Sequence, residues 1–126
     1  MSDTHMQRVE AIALAFPEAQ LVRIEAWGDE PTFRVNGKNF IFASHDGSGL
    51  SVKMPKDEAE AVVATDERCT PTGYGLGRHG WVSITLEPDV ADVDWVELAE
   101  WIETSYLLVA PKRLTRNWQS RLGEHG

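Results

Sequence analysis

The spacing of hydrophobic and polar residues changes along the chain, and each spacing predicts a different element. Apolar residues three or four positions apart predict three amphipathic helices, over residues 6–16, 55–65 and from about 92 or 93 to 109. Short runs with alternating or β-branched and aromatic residues predict five strands, over residues 19–26, 32–35, 38–44, 50–54 and 81–86. A short basic helix is expected over residues 112–122, and residues 66–80 are expected to form a long irregular connection.

The order of these elements predicts the fold class. Because the first four strands follow one another through short turns, the sheet is expected to be antiparallel. We therefore expect a single α+β domain over residues 1–126, with an antiparallel sheet of about five strands and helices packed on one face. Residues from about 112 onward form a basic C-terminal helix or tail in this prediction.

The strongest local signal is a β-hairpin around Asn36-Gly37. A two-residue type I′ turn needs a positive φ at both central positions, which Asn and Gly adopt at little steric cost. Regular pairing across this turn places Phe33 opposite Phe40. The alternation then predicts one face made of Phe33, Val35, Phe40 and Phe42, and another made of Thr32, Arg34, Asn39, Ile41 and Ala43.

The ends and faces of the helices can also be predicted. Thr4 and Gln7 form a capping-box pattern at the start of the first helix, and Pro17 ends that segment. The third helix has a broad apolar stripe of Val93, Val96, Leu98, Trp101, Ile102, Tyr106 and Val109. Its other side carries Asp94, Glu97, Glu100 and Glu103, which we interpret as a solvated surface rather than a carboxylate site.

The composition narrows the class of protein. An apolar fraction of 42% and a charged fraction of 25% are ordinary for a globular domain. The chain has no apolar run of the ~18 residues that a membrane span needs, and no signal-peptide pattern, so no membrane association is expected. The single Cys69 cannot form an internal disulfide, which favours a reducing, cytoplasmic location.

The charge distribution bears on possible partners. The formal net charge of −8 argues against sequence-independent nucleic-acid binding, which depends on Lys and Arg contacts with phosphates. The charge is uneven, however, because residues 87–103 contain seven acids and no base. The segment after Pro111 carries four bases and one acid, so a local basic patch is compatible with the negative total.

The glycine-rich segment Gly73–Gly80 is one candidate for ligand binding. Glycine-rich loops hold phosphates where they lead into a helix N-terminus, but this one leads into a predicted strand. We therefore favour a flexible structural loop. Arg78 and His79 could still contact an anion if the loop lies beside an open sheet face.

The other reactive side chains match no known pattern of a catalytic or metal site. The spacing of His45, Cys69 and His79 is not that of a zinc site, and no cofactor or metal is expected. Among the five tryptophans, Trp81 and Trp101 are expected in the core, whereas Trp27 and Trp118 are expected to be partly exposed. The protein is therefore predicted not to be an enzyme.

Several segments together resemble the MmcQ/YjbR family of small bacterial cytoplasmic proteins. The resemblance lies in Ala11–Pro17, Pro31–Phe40, Leu50–Lys53, Gly80–Ile84 and Ser105–Ala110, and it extends from Met6 to about Leu114. It implies an α+β fold of the double-wing type and a DNA-binding role. The family has no shared catalytic centre, so the resemblance implies no catalytic residue.

Two functions remain open at this point. The first is non-enzymatic DNA binding, and the second is a small-molecule or protein-binding module that uses the open sheet face or the Gly73–Gly80 loop. The candidate binding residues are the cations Arg34, Lys38, Lys53 and Arg78, with a second patch of Lys112, Arg113 and Arg116.

Overall fold

A computed structural model of the chain describes residues 4–24, 30–44, 48–73 and 75–125. The helices are α1 (His5–Leu14), α2 (Lys56–Thr65), α3 (Trp95–Val109) and α4 (Lys112–His125). The strands are β1 (Gln20–Ile24), β2 (Glu30–Val35), β3 (Lys38–Ala43), β4 (Gly49–Lys53), β5 (Cys69–Pro71) and β6 (Trp81–Thr85). The predictions for Trp27 and His45 concern residues outside this described part.

The six strands form one antiparallel sheet in the order β1-β2-β3-β4-β6-β5. The predicted α+β class and antiparallel sheet are confirmed. The extra strand, β5, lies within the segment that we predicted to be wholly irregular. It has only three residues, of which Cys69 alone is buried, so no alternating pattern marks it in the sequence. A 3₁₀ helix, Leu76–His79, follows in the same segment.

The hairpin turn is confirmed, but the predicted pairing of Phe33 with Phe40 is wrong. Asn36 and Gly37 have φ angles of 53° and 77°, as a type I′ turn requires. The pairing shifts next to Phe33, which lies opposite Ile41 rather than Phe40. Phe40 is therefore the additional residue of a β-bulge, which reverses the orientation of the residues that follow it in β3.

The bulge changes which side chains share a face. Cross-strand pairs place the following residues on one face, which forms the buried core: Phe33, Val35, Ile41, Ala43, Leu50, Val52, Cys69, Val82 and Ile84. The opposite face, called the open face below, carries Thr32, Arg34, Asn39, Phe42, Ser51, Lys53, Trp81 and Ser83. The predicted positions of Phe42, Ile41 and Ala43 were thus on the wrong faces.

The helices complete the core on the first face. α3 packs against β3 and β4, and α2 packs against β5 and β6. Ala59 of α2 and Ile102 of α3 belong to the same buried cluster as the strand residues. Leu114 of α4 joins this cluster, so the basic C-terminal segment docks on the domain rather than extending from it.

The helix termini follow the sequence signals in part. The capping box of Thr4 and Gln7 is present at the start of α1. α3 begins at Trp95, two or three residues later than predicted, because the Asp94 side chain accepts a hydrogen bond from the backbone N–H of Glu97 and caps the helix there. Val96 was wrongly assigned to the apolar stripe, since 74% of its surface is exposed.

Candidate functional site on the open face of the sheet

The open face has an aromatic centre on neighbouring strands. Phe42 and Trp81 meet edge to face, with ring centroids 5.1 Å apart. Phe42 is half-buried, whereas Trp81 is buried as predicted but lies apart from the main core cluster. An aromatic side chain that remains partly accessible on a sheet surface can stack on a planar group of a ligand.

Three hydroxyl groups lie next to this aromatic pair. The Oγ atoms of Ser51 and Ser83 are 2.9 Å apart, and Ser83 Oγ is 3.0 Å from Thr72 Oγ1. The hydroxyls therefore form a continuous hydrogen-bonded row from β4 across β6 to the residue after β5. Each hydroxyl can both donate and accept, so the row offers adaptable polar contacts.

Two of the predicted binding residues project onto the open face. Arg34 is opposite Asn39, and its Nε donates a hydrogen bond of 2.7 Å to Asn39 Oδ1. Lys53 is paired with Trp81 on the next strand. Arg34 lies one residue from the end of β2 and Lys53 ends β4, so both lie at the end of the sheet where the Asn36-Gly37 turn is located.

The other two sheet cations lie at the same end. Lys38 is exposed beside the turn, opposite Val35. Arg78 is exposed in the 3₁₀ helix that leads into β6, and Gly80 accepts a backbone hydrogen bond of 2.8 Å from Met54, the residue after Lys53. The fold thus brings these four cations to one end of the sheet, which we call the basic end.

The tail cations are arranged differently. Arg113 makes two hydrogen bonds to the Glu18 carboxylate, of 2.7 and 3.3 Å, across the exposed surface. These bonds lower the pKa of Glu18 below its ordinary value and raise that of Arg113. Lys112 and Arg116 are exposed. Arg113 is therefore already paired, which weakens it as a ligand contact, whereas its two neighbours face solvent.

Many of the acidic residues lie toward the opposite end of the sheet. Thr85 ends β6 there and is followed by the acidic segment that leads to Asp94. Arg68 binds Asp66 at 2.6 Å and Glu97 at 2.9 Å at this end, and its guanidinium lies 5.9 Å from the ring centroid of Trp101. Acidic and basic residues are not fully separated between the two ends, because the first turn of α2, at the basic end, also carries two acids.

The arrangement around Arg68 was not predicted. Hydrogen bonds to its guanidinium lower the pKa of Asp66. Glu97 was interpreted as part of a solvated surface, yet it joins α3 to the start of β5 through Arg68. Glu103 on the same helix accepts a hydrogen bond of 3.0 Å from Trp118 Nε1, which is half-buried as predicted. The contact of Arg68 with α3 could not be predicted because it depends on the position of β5, a strand that no sequence pattern marks.

The remaining reactive side chains are separated by the fold. Cys69 is buried on the core face, and burial raises the pKa of its thiol to about 11. It lies opposite Ile84, whereas His79 is exposed beyond the other end of β6. In the described part of the chain, no three His, Cys, Asp or Glu side chains are grouped closely enough to hold a metal ion.

The fold and the open face define a small α+β protein with its core on one side of an antiparallel sheet and polar, aromatic and basic groups on the other. The chain belongs to the YjbR family, whose model matches residues 14–108. Comparisons with curated proteins and with solved structures gave no match. Among the described helices, none is both long and apolar enough to cross a membrane.

Proposed function

We propose that this protein is a non-enzymatic DNA-binding protein that uses the basic end of the sheet, where Arg34 and Lys53 project onto the open face. The observation that supports this most strongly is the grouping of Arg34, Lys53, Lys38 and Arg78 at one end of the sheet. Phosphate contacts by Lys and Arg supply much of the affinity of proteins for DNA. A local group of this kind can act even though the formal net charge is −8.

The aromatic centre supports the same proposal. Phe42 lies within the sheet surface that also carries Arg34 and Lys53. Proteins that bind single strands combine a basic track for the backbone with aromatic side chains on which bases stack. The open face has both features, so we expect single-stranded DNA to bind at least as tightly as duplex DNA.

The test is fluorescence anisotropy of labelled single-stranded and duplex oligonucleotides over a series of salt concentrations. For duplex DNA, log affinity should fall with log salt by ~0.9 for each phosphate contact. Arg34→Gln and Lys53→Gln should each reduce this slope by about one contact, or ~0.9 for the duplex and ~0.7 for the single strand.

Arg23→Gln is the matched control. Arg23 is exposed in the edge strand β1, opposite Pro31 and away from the basic end, and its loss changes the net charge by the same amount. We expect it to leave the slope unchanged. The proposal is refuted if neither single-stranded nor duplex DNA binds at low salt and micromolar protein. It is also refuted if Arg23→Gln and Arg34→Gln change the salt slope equally.

A further inference from the structure

A cavity of about 590 Å³ lies between α2 and the β5–β6 hairpin. Its size is within the range of small-molecule sites in proteins. Most of its lining is apolar, with Ala59 and Val63 from α2 and Pro71, Trp81 and Val82 from the hairpin. The cavity is separate from the Arg34 side of the open face, and its walls can contact the apolar part of a ligand.

More positive than negative side chains line the cavity. Lys56 and Arg78 line it together with one carboxylate, Glu60. Neither Lys56 nor Arg78 takes part in an ion pair within the described part of the chain. Within the described residues, the cavity therefore has two cations that form no ion pair with a carboxylate, against one acid, which suits a ligand with a single negative charge.

The wall that carries Arg78 is held in a defined conformation by glycines. Gly75 and Gly80 have φ angles of 80° and 91°, which other residues rarely adopt. A side chain at Gly80 would also collide with the carbonyl oxygen of Met54. A Cβ atom at position 77 would approach the Cβ of Pro71 to 2.9 Å, so the loop lies this close to the hairpin because residue 77 is a glycine.

Backbone hydrogen bonds strengthen this wall. Gly77 N–H donates to the Thr72 carbonyl at 3.0 Å, and Thr72 N–H donates to the Trp81 carbonyl at 3.1 Å. The loop is thus tied to both strands of the hairpin. A cationic side chain on a fixed loop loses less conformational freedom on binding than one on a mobile loop, which favours a specific anion site.

We propose that this cavity binds a small monocarboxylate with an apolar body. The apolar body would lie against Val63, Pro71 and Trp81, and the carboxylate would bind Arg78 and Lys56 at the rim. A phosphate monoester fits less well, because its second negative charge would face Glu60. This proposal does not depend on the proposed DNA-binding function, although the cavity shares Arg78 with the basic end and Trp81 with the aromatic centre.

The test uses octanoate as the probe, with octan-1-ol and octylammonium as probes of similar length but different charge. Each is titrated into ¹⁵N-labelled protein and followed by amide chemical shifts. Octanoate should shift the resonances of α2 and of residues 71–82 and saturate. The proposal is overturned if octanoate shifts none of these resonances, or if octan-1-ol and octylammonium shift them as strongly at the same concentration.

Three variants assign the binding to this cavity. Ala64→Trp fills it from an exposed position of α2, and it should abolish the octanoate shifts without changing DNA binding. Arg78→Gln should weaken octanoate about tenfold, the scale of a lost charged hydrogen bond at a surface site. Arg34→Gln, the control, should leave octanoate binding unchanged. Unaltered octanoate binding in a folded Ala64→Trp protein would also overturn the proposal, whatever the outcome of the DNA measurements.

Discussion

Replacing Ser105 with alanine should destabilise the domain more than any comparable change of a serine on its surface. Ser105 is fully buried in α3, where its hydroxyl donates to the Phe40 carbonyl at 2.6 Å and accepts from the Lys53 N–H at 2.9 Å. The β3–β4 pairing ends at Ile41 and Val52, so the hydroxyl joins the two backbone groups at the next position along the strands.

The magnitude follows from these two hydrogen bonds. Alanine has nearly the same volume as serine, so little cavity is created and the polar loss dominates. An unsatisfied buried donor or acceptor costs roughly 1–3 kcal/mol, so the loss of both bonds should cost about 2–4 kcal/mol. This is a large share of the ~5–15 kcal/mol by which a domain is usually stable. Lys53 lies at the affected position, so the basic end should also lose order.

Urea denaturation followed by circular dichroism measures the change. The midpoint should fall with little change in the m-value, as expected for a loss of stability without a change in the surface exposed on unfolding. Thr104→Ala is the matched control, because among the described residues that hydroxyl donates only to the Glu100 carbonyl of its own helix. The control should stay within about 0.5 kcal/mol of the unmodified protein. Equal stability of the two variants would refute the bridging role of Ser105.

Three further outcomes are expected. Arg68→Gln should reduce stability at neutral pH, and the difference from the unmodified protein should shrink as the pH falls below 3.8. Arg68 lowers the native pKa of Asp66 from 3.8, so its interaction with the ionised carboxylate stabilises the folded protein above that pH. This stabilisation is lost as the native carboxylate is protonated. A difference in urea midpoint that is independent of pH would contradict this. Gly80→Ala should destabilise by at least ~2 kcal/mol through backbone strain and steric collision, whereas Gly73→Ala, in open space, should be nearly neutral in the same assay. Cys69 should react with a thiol reagent at neutral pH only when urea unfolds the protein, because it is 3% exposed and its pKa is raised to about 11; rapid labelling of the native protein would contradict its burial.

Local patterns predicted the elements well where a single short segment carries the whole signal. The type I′ turn at Asn36-Gly37 depends on two residues that tolerate a positive φ, and it is present. The capping box of α1 likewise depends on Thr4 and Gln7 alone. The predictions failed where the neighbours are distant, as at β5, which exists because it pairs with β6 rather than because of its own pattern.

The candidate site shows the same division. That Arg34, Lys53 and Arg78 are exposed or half-buried cations could be anticipated from their places in predicted strands and a loop. Their grouping at one end could not, because it depends on the strand order and on the backbone contact between Met54 and Gly80. The cavity beside α2 was also beyond prediction, since its walls come from elements whose packing no local pattern encodes.

By itself, the sequence determined the α+β class, the antiparallel sheet, the hairpin turn and the helices, because these follow from backbone preferences and hydrophobic spacing within short segments. Only the tertiary structure decided which face each residue of β3 occupies. One additional residue, Phe40, forms a bulge that carries Phe42 to the open face and Ile41 to the core. Side chains alternate with a period of two, so a shift of a single residue reverses every later position, and only packing against α3 and β4 can select it.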